Sequence, residues 1–285
     1  MRTEHHFLSL LTGSLASPAD ENPTVAMIEA AYRALGLDAR YINCDVPAAM
    51  LGDAVRGARA MGWAGFNCSI PHKLAVISHL DALAPSAALI GAVNCVVLRE
   101  GRLVGENTDG RGFLDSLRTV AEPSGSRVTL FGAGGAARAI AVELALAGAG
   151  HITIVNRRAA PARELAELIA QRTSAQASAV PWTPHHRVDR QTDIVVNATS
   201  VGLFPNVSAM PDLDTDSLHP GMVVADVIPN PPRTALIEAA AQRGCVTLDG
   251  LGMLVNQGLI SIALWTGCTA DAAVMRATLE GLFSP

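Results

Sequence analysis

Charge is scarce in this chain, and so is any run that would commit it to a membrane, a nucleic acid or a metal. Of 285 residues only 16% are charged, the net charge is −5, and there is no long Lys/Arg run, which argues against nucleic acid or an anionic membrane surface as the partner. No apolar run reaches the roughly 18–20 residues of a membrane span, and the N-terminus lacks the apolar core of a secretion signal. The five cysteines, Cys44, Cys68, Cys95, Cys245 and Cys268, are widely spaced and never in C-x-x-C pairs. They read as thiols of a reduced, soluble, cytoplasmic protein. The pairs His5-His6 and His185-His186 have no carboxylate or cysteine companions at ligand spacing, so no metal is assigned. With 49% hydrophobic residues, the chain can build one large or two medium domains without staples.

Short apolar runs alternate with helical stretches over the first hundred residues. Strands are expected at 7–11, 39–44, 65–69, 92–98 and 103–105, with helices at 23–35 and 48–61; this is a mainly parallel α/β unit. After the polar stretch 121–126 a second rhythm begins. A strand at 128–131, helix 137–147, strand 151–155, helix 161–171, strands 193–197 and 222–226 and helix 233–243 follow in order, as a doubly wound sheet requires. Helices at 252–266 and 271–283 have no strand left to pair and are expected to return to the first domain, closing a cleft. The expected division is 1–110 with 249–285, and 111–248.

The turn Gly132-Ala133-Gly134-Gly135-Ala136-Ala137 follows the strand Val128-Thr129-Leu130-Phe131 and opens an alanine-rich helix. In a G-x-G-x-x-A turn the first glycine permits the tight bend, the second admits a pyrophosphate to the backbone, and the small last residue lets helix and strand pack closely. The next strand ends at Asn156-Arg157-Arg158, where the ribose-reading residue belongs. A carboxylate there would take the 2′-hydroxyl of NAD, whereas two guanidiniums suit the 2′-phosphate of NADP. NADP is the expected cofactor, in the second domain.

A nicotinamide enzyme needs a group that exchanges a proton with the substrate oxygen. Asn67-Cys68-Ser69-Ile70-Pro71-His72-Lys73 is expected to run from a strand end into a helix, with Pro71 in its first turn and Lys73 just inside. Glu106-Asn107-Thr108-Asp109-Gly110 reads as a polar turn after a strand. Singly, these are a solvated lysine and a capping turn; together, a lysine beside a carboxylate can donate and accept protons and read vicinal hydroxyls.

The motifs Asn67-x-Ser69-x-Pro71-x-Lys73, Gly91-Ala92-Val93-Asn94, Asn107-Thr108-Asp109-Gly110, Gly132-Ala133-Gly134-Gly135-Ala136, Asn156-Arg157, Asn197-Ala198-Thr199-Ser200-x-Gly202 and Asp249-Gly250-Leu251-Gly252-Met253-Leu254-Val255-x-Gln257 resemble the motif series of the shikimate dehydrogenase family, in order and over nearly the whole chain. The resemblance implies a substrate domain joined to a Rossmann-type domain and the reversible reduction of the ring ketone 3-dehydroshikimate by NADPH. It implies Lys73 and Asp109 as the catalytic pair, Asn94 and Asp109 on substrate hydroxyls, and Asn67, Ser69 and Gln257 lining the same site. For the cofactor it implies Gly132, Ala133, Gly134, Gly135, Ala136, Asn156, Arg157, Arg158, Asn197, Ala198 and Thr199, with Gly250 and Met253. Beyond a small-molecule substrate, a monomer or homodimer is expected.

Three departures from the family bear on recognition. Its near-N-terminal Gly-x-Pro-Ile-x-His-Ser-x-Ser-Pro stretch, whose two serines hold the substrate carboxylate, is here Gly13-Ser14-Leu15-Ala16-Ser17-Pro18-Ala19-Asp20-Glu21-Asn22-Pro23, one residue longer and with Asn22 where the second serine is expected. Two lost hydrogen bonds to a charge cost about 3–6 kcal/mol, about 10²–10⁴ in affinity, enough to change the substrate. Asn22 can still donate two N–H bonds. Pro229 stands where the family usually has a tyrosine, and Arg158 and Pro161 alter the cofactor loop, leaving NAD use open. The expected reaction is oxidation or reduction of shikimate or a near relative such as quinate or an amino-shikimate. The alternatives are a polyol dehydrogenase whose substrate lacks the carboxylate and a non-catalytic quinate- or shikimate-sensing module.

Overall fold

A computed structural model describes residues 8–283; the pair His5-His6 and the first residue of the expected strand at 7–11 lie outside the described residues. The chain forms two compact units. The first holds the residues up to Ala88, Ala92–Thr108 and Gly258–Leu282, and the second holds Leu89–Gly91 and Asp109–Gln257.

In the first unit β1 (Leu10–Ala16), α1 (Thr24–Ala34), β2 (Ala39–Asp45), α2 (Leu51–Ala60) and β3 (Gly65–Cys68) alternate, followed by the short β4 (Ala82–Leu83) and α3 (Pro85–Ile90), then β5 (Cys95–Arg99) and β6 (Arg102–Glu106). The sheet order is β2-β1-β3-β5-β6-β4. β1 runs parallel to β2 and β3 and β4 runs parallel to β6, while β5 opposes both its neighbours. The antiparallel pair follows from the turn Glu100-Gly101, where φ values of +50° and +77° make the two-residue hairpin connection that matches strand twist. One face of this sheet is apolar, with Leu15, Phe66, Cys68 and Val96 packed against Leu51, Val55 and Ala58 of α2. The other face is polar where β1, β2 and β3 meet. Ser14 lies in register with Asn43 on one side and Asn67 on the other, and Thr12 with Tyr41.

The second unit begins with α4 (Asp109–Leu117) and continues β7 (Arg127–Phe131), α5 (Gly135–Leu146), β8 (His151–Asn156), α6 (Ala159–Arg172), β9 (Gln176–Pro181), β10 (Ile194–Asn197), β11 (Val223–Asp226), α7 (Ala235–Gln242) and β12 (Val246–Leu248). Its sheet order is β12-β11-β10-β7-β8-β9 with every pairing parallel, the Rossmann arrangement. Because the strands are covered on both faces, they read as near-continuous apolar runs. Leu130, Ile152, Ile154, Ile194 and Val196 pack with α4, α5 and α6, and Phe131, Val155, Val195 and Val224 pack with α7. The order reverses between β7 and β10, the switch point at which such sheets receive ligands. The last helices are α8 (Gly250–Thr266) and α9 (Ala272–Phe283); residues 250–257 of α8 belong to the second unit and 258–266 to the first.

Three local expectations are corrected. The first strand, expected at 7–11, runs Leu10–Ala16 instead, and Leu8 is exposed ahead of it. Lys73 is not inside a helix: residues 70–74 form turns ahead of a short 3₁₀ helix, Ala75–His79. The reason is that the Lys73 carbonyl accepts the Val93 N–H at 2.8 Å, so it is not available to a regular helical ladder. Asp109, read as part of a polar turn, opens α4, where a carboxylate is favoured by the helix dipole. Among the described residues no three metal-ligating side chains cluster, and no helix is long and apolar enough to cross a membrane.

Candidate functional site

The glycine turn sits at the switch point of the second sheet. Gly132 has φ +110°, and a Cβ there would stand 3.0 Å from the Ala198 carbonyl oxygen and 3.1 Å from Thr199 Cγ2. Only glycine lets the turn after β7 approach the loop after β10 this closely. Gly134, the residue before α5, is different: its φ of −83° suits any residue, and a Cβ built on it meets nothing within 4 Å. No side chain caps the helix there. A backbone left bare in front of an uncapped helix N-terminus fits a pyrophosphate. Ala133, Gly135 and Ala136 complete the turn and are half-buried.

Asn156 ends β8, and its Nδ2 donates to the Arg158 carbonyl at 2.9 Å, shaping the turn that leaves both Arg157 and Arg158 exposed. Neither guanidinium has a carboxylate partner among the described residues, so both can serve an anion. Asn197 is fully buried, and its Oδ1 accepts from the Thr199 N–H and hydroxyl at 3.2 and 2.7 Å. Its Nδ2 donates to Asp226 Oδ1 at 3.0 Å. Asp226 also accepts from Thr234 Oγ1 at 2.8 Å and from the Ile228 N–H at 3.1 Å. Burial nonetheless pushes its carboxyl up to about 6, against the opposing pull of the Thr234, Asn197 and Ile228 bonds. The loop Asn197-Ala198-Thr199 is thus held from beneath by a buried carboxyl.

In the first unit Asn67, Asn94 and Lys73 are tied together through the backbone. Asn67 Nδ2 donates to the Asn94 carbonyl at 3.1 Å and to Ser261 Oγ at 3.3 Å, and the Tyr41 hydroxyl donates to Asn67 Oδ1 at 2.9 Å. Burial holds the Tyr41 phenol well above its ordinary range, so it remains a donor and fixes the orientation of that amide. The Asn94 side chain donates to Thr108 Oγ1 at 2.9 Å and accepts the Thr108 N–H at 2.7 Å. Lys73 and Ser69 are half-buried, and the Ser69 N–H donates to the Leu15 carbonyl at 3.1 Å.

Ser14, Asn22 and Asn43 make a neutral cluster where the sequence departs from the motif series it otherwise resembles. Ser14 Oγ donates to Asn43 Oδ1 at 2.9 Å and accepts from Asn22 Nδ2 at 3.3 Å. Asn22 Oδ1 accepts the Thr24 N–H at 3.1 Å, and Asn43 Nδ2 donates to the Ala19 and Asn22 carbonyls at 3.2 and 2.9 Å. Asp20 and Glu21 are exposed.

In the second unit, Asp109 is 5% exposed at the start of α4. Gln257 is buried in α8, where its Nε2 donates to the Leu254 carbonyl at 2.9 Å. A Cβ on Gly250 would stand 2.3 Å from the Ile228 carbonyl oxygen, so this glycine packs backbone to backbone. Met253 is 8% exposed and part of the apolar core with Phe113 and Leu114, which leaves it little surface for a ligand. Tyr41 and Asn43 are positions the sequence reading did not single out, and it gave Thr108 and Asp226 no role of their own. The signal for the first two was the inverted pattern of β2, in which alternate residues Tyr41 and Asn43 are polar while Ile42 between them is 45% exposed.

Residues 15–96 match the shikimate dehydrogenase substrate binding domain, 116–207 the shikimate / quinate 5-dehydrogenase model and 250–280 the shikimate 5′-dehydrogenase C-terminal domain. The chain is 42% identical over 277 residues to shikimate dehydrogenase (NADP(+)) of Methanopyrus kandleri, covering 95% of this chain and 96% of that one. It is similar to the ligand-free 5-ketofructose reductase of Gluconobacter sp. strain CHM43, with 60% identity, a TM-score of 0.90, and coverage of 98% of this chain and 100% of that one. Shikimate 5-dehydrogenase from Listeria monocytogenes, solved with shikimate and NAD, matches at 34% identity and a TM-score of 0.87, covering 98% and 99%. An oxidoreductase built from a Rossmann unit and a second α/β unit is the class that this fold defines. The chain belongs to the shikimate dehydrogenase family.

Proposed function

We propose that this enzyme reduces a neutral, polyhydroxylated ketone, with NADPH as reductant and without requiring a carboxylate on the substrate. The observation that carries the reading is the Ser14-Asn22-Asn43 cluster, whose hydrogen-bond partners are all uncharged, at the position where the family resemblance implies a two-serine carboxylate clamp. Amides and a hydroxyl, each both donor and acceptor, suit substrate hydroxyls. The 60% identical 5-ketofructose reductase supports the same substrate class, and the NADP(+) of the Methanopyrus kandleri relative supports the cofactor.

On this reading most of the residues that bind the substrate belong to the first unit, and those that bind the dinucleotide belong to the second. When bound, NADPH supplies hydride to the carbonyl carbon. The chain's part is binding and proton transfer. Gly132 to Ala136 and the start of α5 receive the pyrophosphate, Arg157 and Arg158 beside Asn156 receive the 2′-phosphate, and Asn197 to Thr199, with Gly250, shape the rest of the cofactor site. The Lys73 ammonium gives its proton to the oxygen that becomes the alcohol, and in the oxidative direction neutral Lys73 takes it back. Asp109 orients that exchange and, with Asn94, binds hydroxyls; Asn67, Ser69, Gln257 and Asn22 line the substrate side.

Shikimate or quinate chemistry is the second reading, favoured by the 42% identity to a shikimate dehydrogenase. The deciding experiment is initial-rate oxidation of NADPH and NADH with 5-ketofructose, other neutral ketoses and 3-dehydroshikimate, repeated with Lys73→Ala. The proposal expects kcat/KM for a neutral ketose to exceed that for 3-dehydroshikimate by about 10² or more, and Lys73→Ala to lose turnover by about 10²–10⁴ while its NADPH affinity is kept. A preference for 3-dehydroshikimate overturns the substrate assignment, and wild-type kcat in Lys73→Ala overturns the proton-transfer role.

A further inference from the structure

We infer that Asn43 is a positioning residue that sets the substrate preference through Asn22. The inference rests on the substrate class proposed above but concerns a residue that lies outside the motifs that carry the family resemblance. Asn43 lies on β2 in register with Ser14. Its three bonds take the Ser14 hydroxyl proton on Oδ1 and spend both Nδ2 hydrogens on the Ala19 and Asn22 carbonyls. Asn43 therefore has no donor left for a ligand. What it does is pin both ends of the Ala19–Asn22 stretch to the edge of the sheet.

Asn22 is the beneficiary. One of its N–H groups goes to Ser14 Oγ, and its Oδ1 takes the Thr24 N–H. That leaves one N–H and one lone pair on a half-buried amide whose orientation is fixed from both sides. A group with one donor and one acceptor to offer pairs with a hydroxyl, which has both. It pairs poorly with a carboxylate, which only accepts. Ser14 is fully buried, with its proton committed to Asn43, so it supplies no second donor to an anion. The one-residue-longer loop thus converts an anion clamp into a reader of neutral hydroxyls, and Asn43 holds the conversion in place.

The test is a double-mutant cycle in the full-length enzyme: Asn22→Ala, Asn43→Ala and the double variant, with KM, kcat, NADPH KM and thermal midpoint measured on whichever ketone the wild type reduces best. Each single variant is expected to raise the ketone KM by about tenfold, leaving kcat and NADPH KM near wild type, and the double variant to be no worse than either single one. Additive effects in the double variant, or an unchanged KM in Asn43→Ala, overturn the inference. If Asn43→Ala does not fold, Asn43→Thr is used in its place. It suits a strand and keeps an acceptor for Ser14 but can donate only one bond, and the same KM shift is expected. A wild type that reduces only 3-dehydroshikimate refutes the proposed substrate class, while the cycle, read on that substrate, still decides whether Asn43 acts through Asn22.

Discussion

Replacing Asp226 by asparagine should remove a pH dependence that runs opposite to ordinary acid denaturation. The carboxyl is 2% exposed at the end of β11, and burial raises it from 3.8 to about 6. The folded protein therefore holds this proton more tightly than the unfolded chain does. Its contribution to stability is fully present below pH 3.8 and is lost as pH rises through about 6. Keeping the charged form in the folded state costs about 3 kcal/mol. Asparagine keeps the shape and the oxygen that accepts from Asn197 and Ile228. It forfeits the Thr234 hydroxyl as a simple donor, at about 1 kcal/mol, a cost that does not vary with pH.

The stability difference between Asp226→Asn and wild type should therefore shift by about 2 kcal/mol in favour of the variant on going from about pH 4.5 to about pH 7.5. Urea unfolding of both proteins at the two pH values, followed by far-ultraviolet circular dichroism, measures it directly. Other titrating groups cancel because they are common to both chains. A difference that is the same at both pH values would show that Asp226 does not change its protonation there, and that the bonds from Asn197, Ile228 and Thr234 outweigh burial.

Gly134→Ala should leave the thermal midpoint unchanged, because its Cβ meets nothing within 4 Å, yet weaken NADPH binding by about tenfold or more by occupying the approach to the helix N-terminus; a drop in stability with intact binding would refute the assignment. Arg157→Ala should weaken NADP binding by about 10–100-fold and leave NAD binding nearly unchanged, as titration calorimetry would show. Equal losses for both dinucleotides would mean that this arginine does not read the 2′-phosphate.

The Rossmann unit was the most legible part of the sequence, because its strands are buried on both faces and its glycine turn obeys backbone geometry. Missed within it were β9 and β12. Gln176–Pro181 at one edge of the sheet is built mostly of small residues and is partly exposed, and β12 at the other is three residues long with Val246 exposed; such edges carry little hydrophobic pattern. α4 was hidden for a different reason. Gly110 and Gly112 discourage a helix by propensity, but their missing side chains let α4 press onto the Ala139 carbonyl of α5 and the backbone of Gln257 in α8, so tertiary packing overrode the local preference. Asn43 and Tyr41 were passed over because β2 was read for its apolar residues, whereas its inward face is the polar one. The role of Asp226 could not be read locally, since its partners Asn197 and Thr234 come from different segments.

The two halves of the proposed site differ in how strongly the fold constrains them. The Lys73 carbonyl, the Asn94 carbonyl and the Asn94 side chain are bound by Val93, Cys68 and Thr108 respectively, so displacing either residue would break the β3–β5 junction as well as the proposed chemistry. Asn22 hangs instead on the side-chain bond it donates to Ser14 and the one it accepts from the Thr24 N–H, and on a loop fastened by Asn43. A residue can be inserted between Ser14 and Pro23 at the modest entropy of a slightly longer loop, provided that one side chain on the neighbouring strand re-anchors it. A change of substrate by this route needs few coordinated substitutions. It leaves the residues proposed for proton transfer untouched, which is how a chain with the dehydrogenase motif series could come to favour the neutral ketone proposed here.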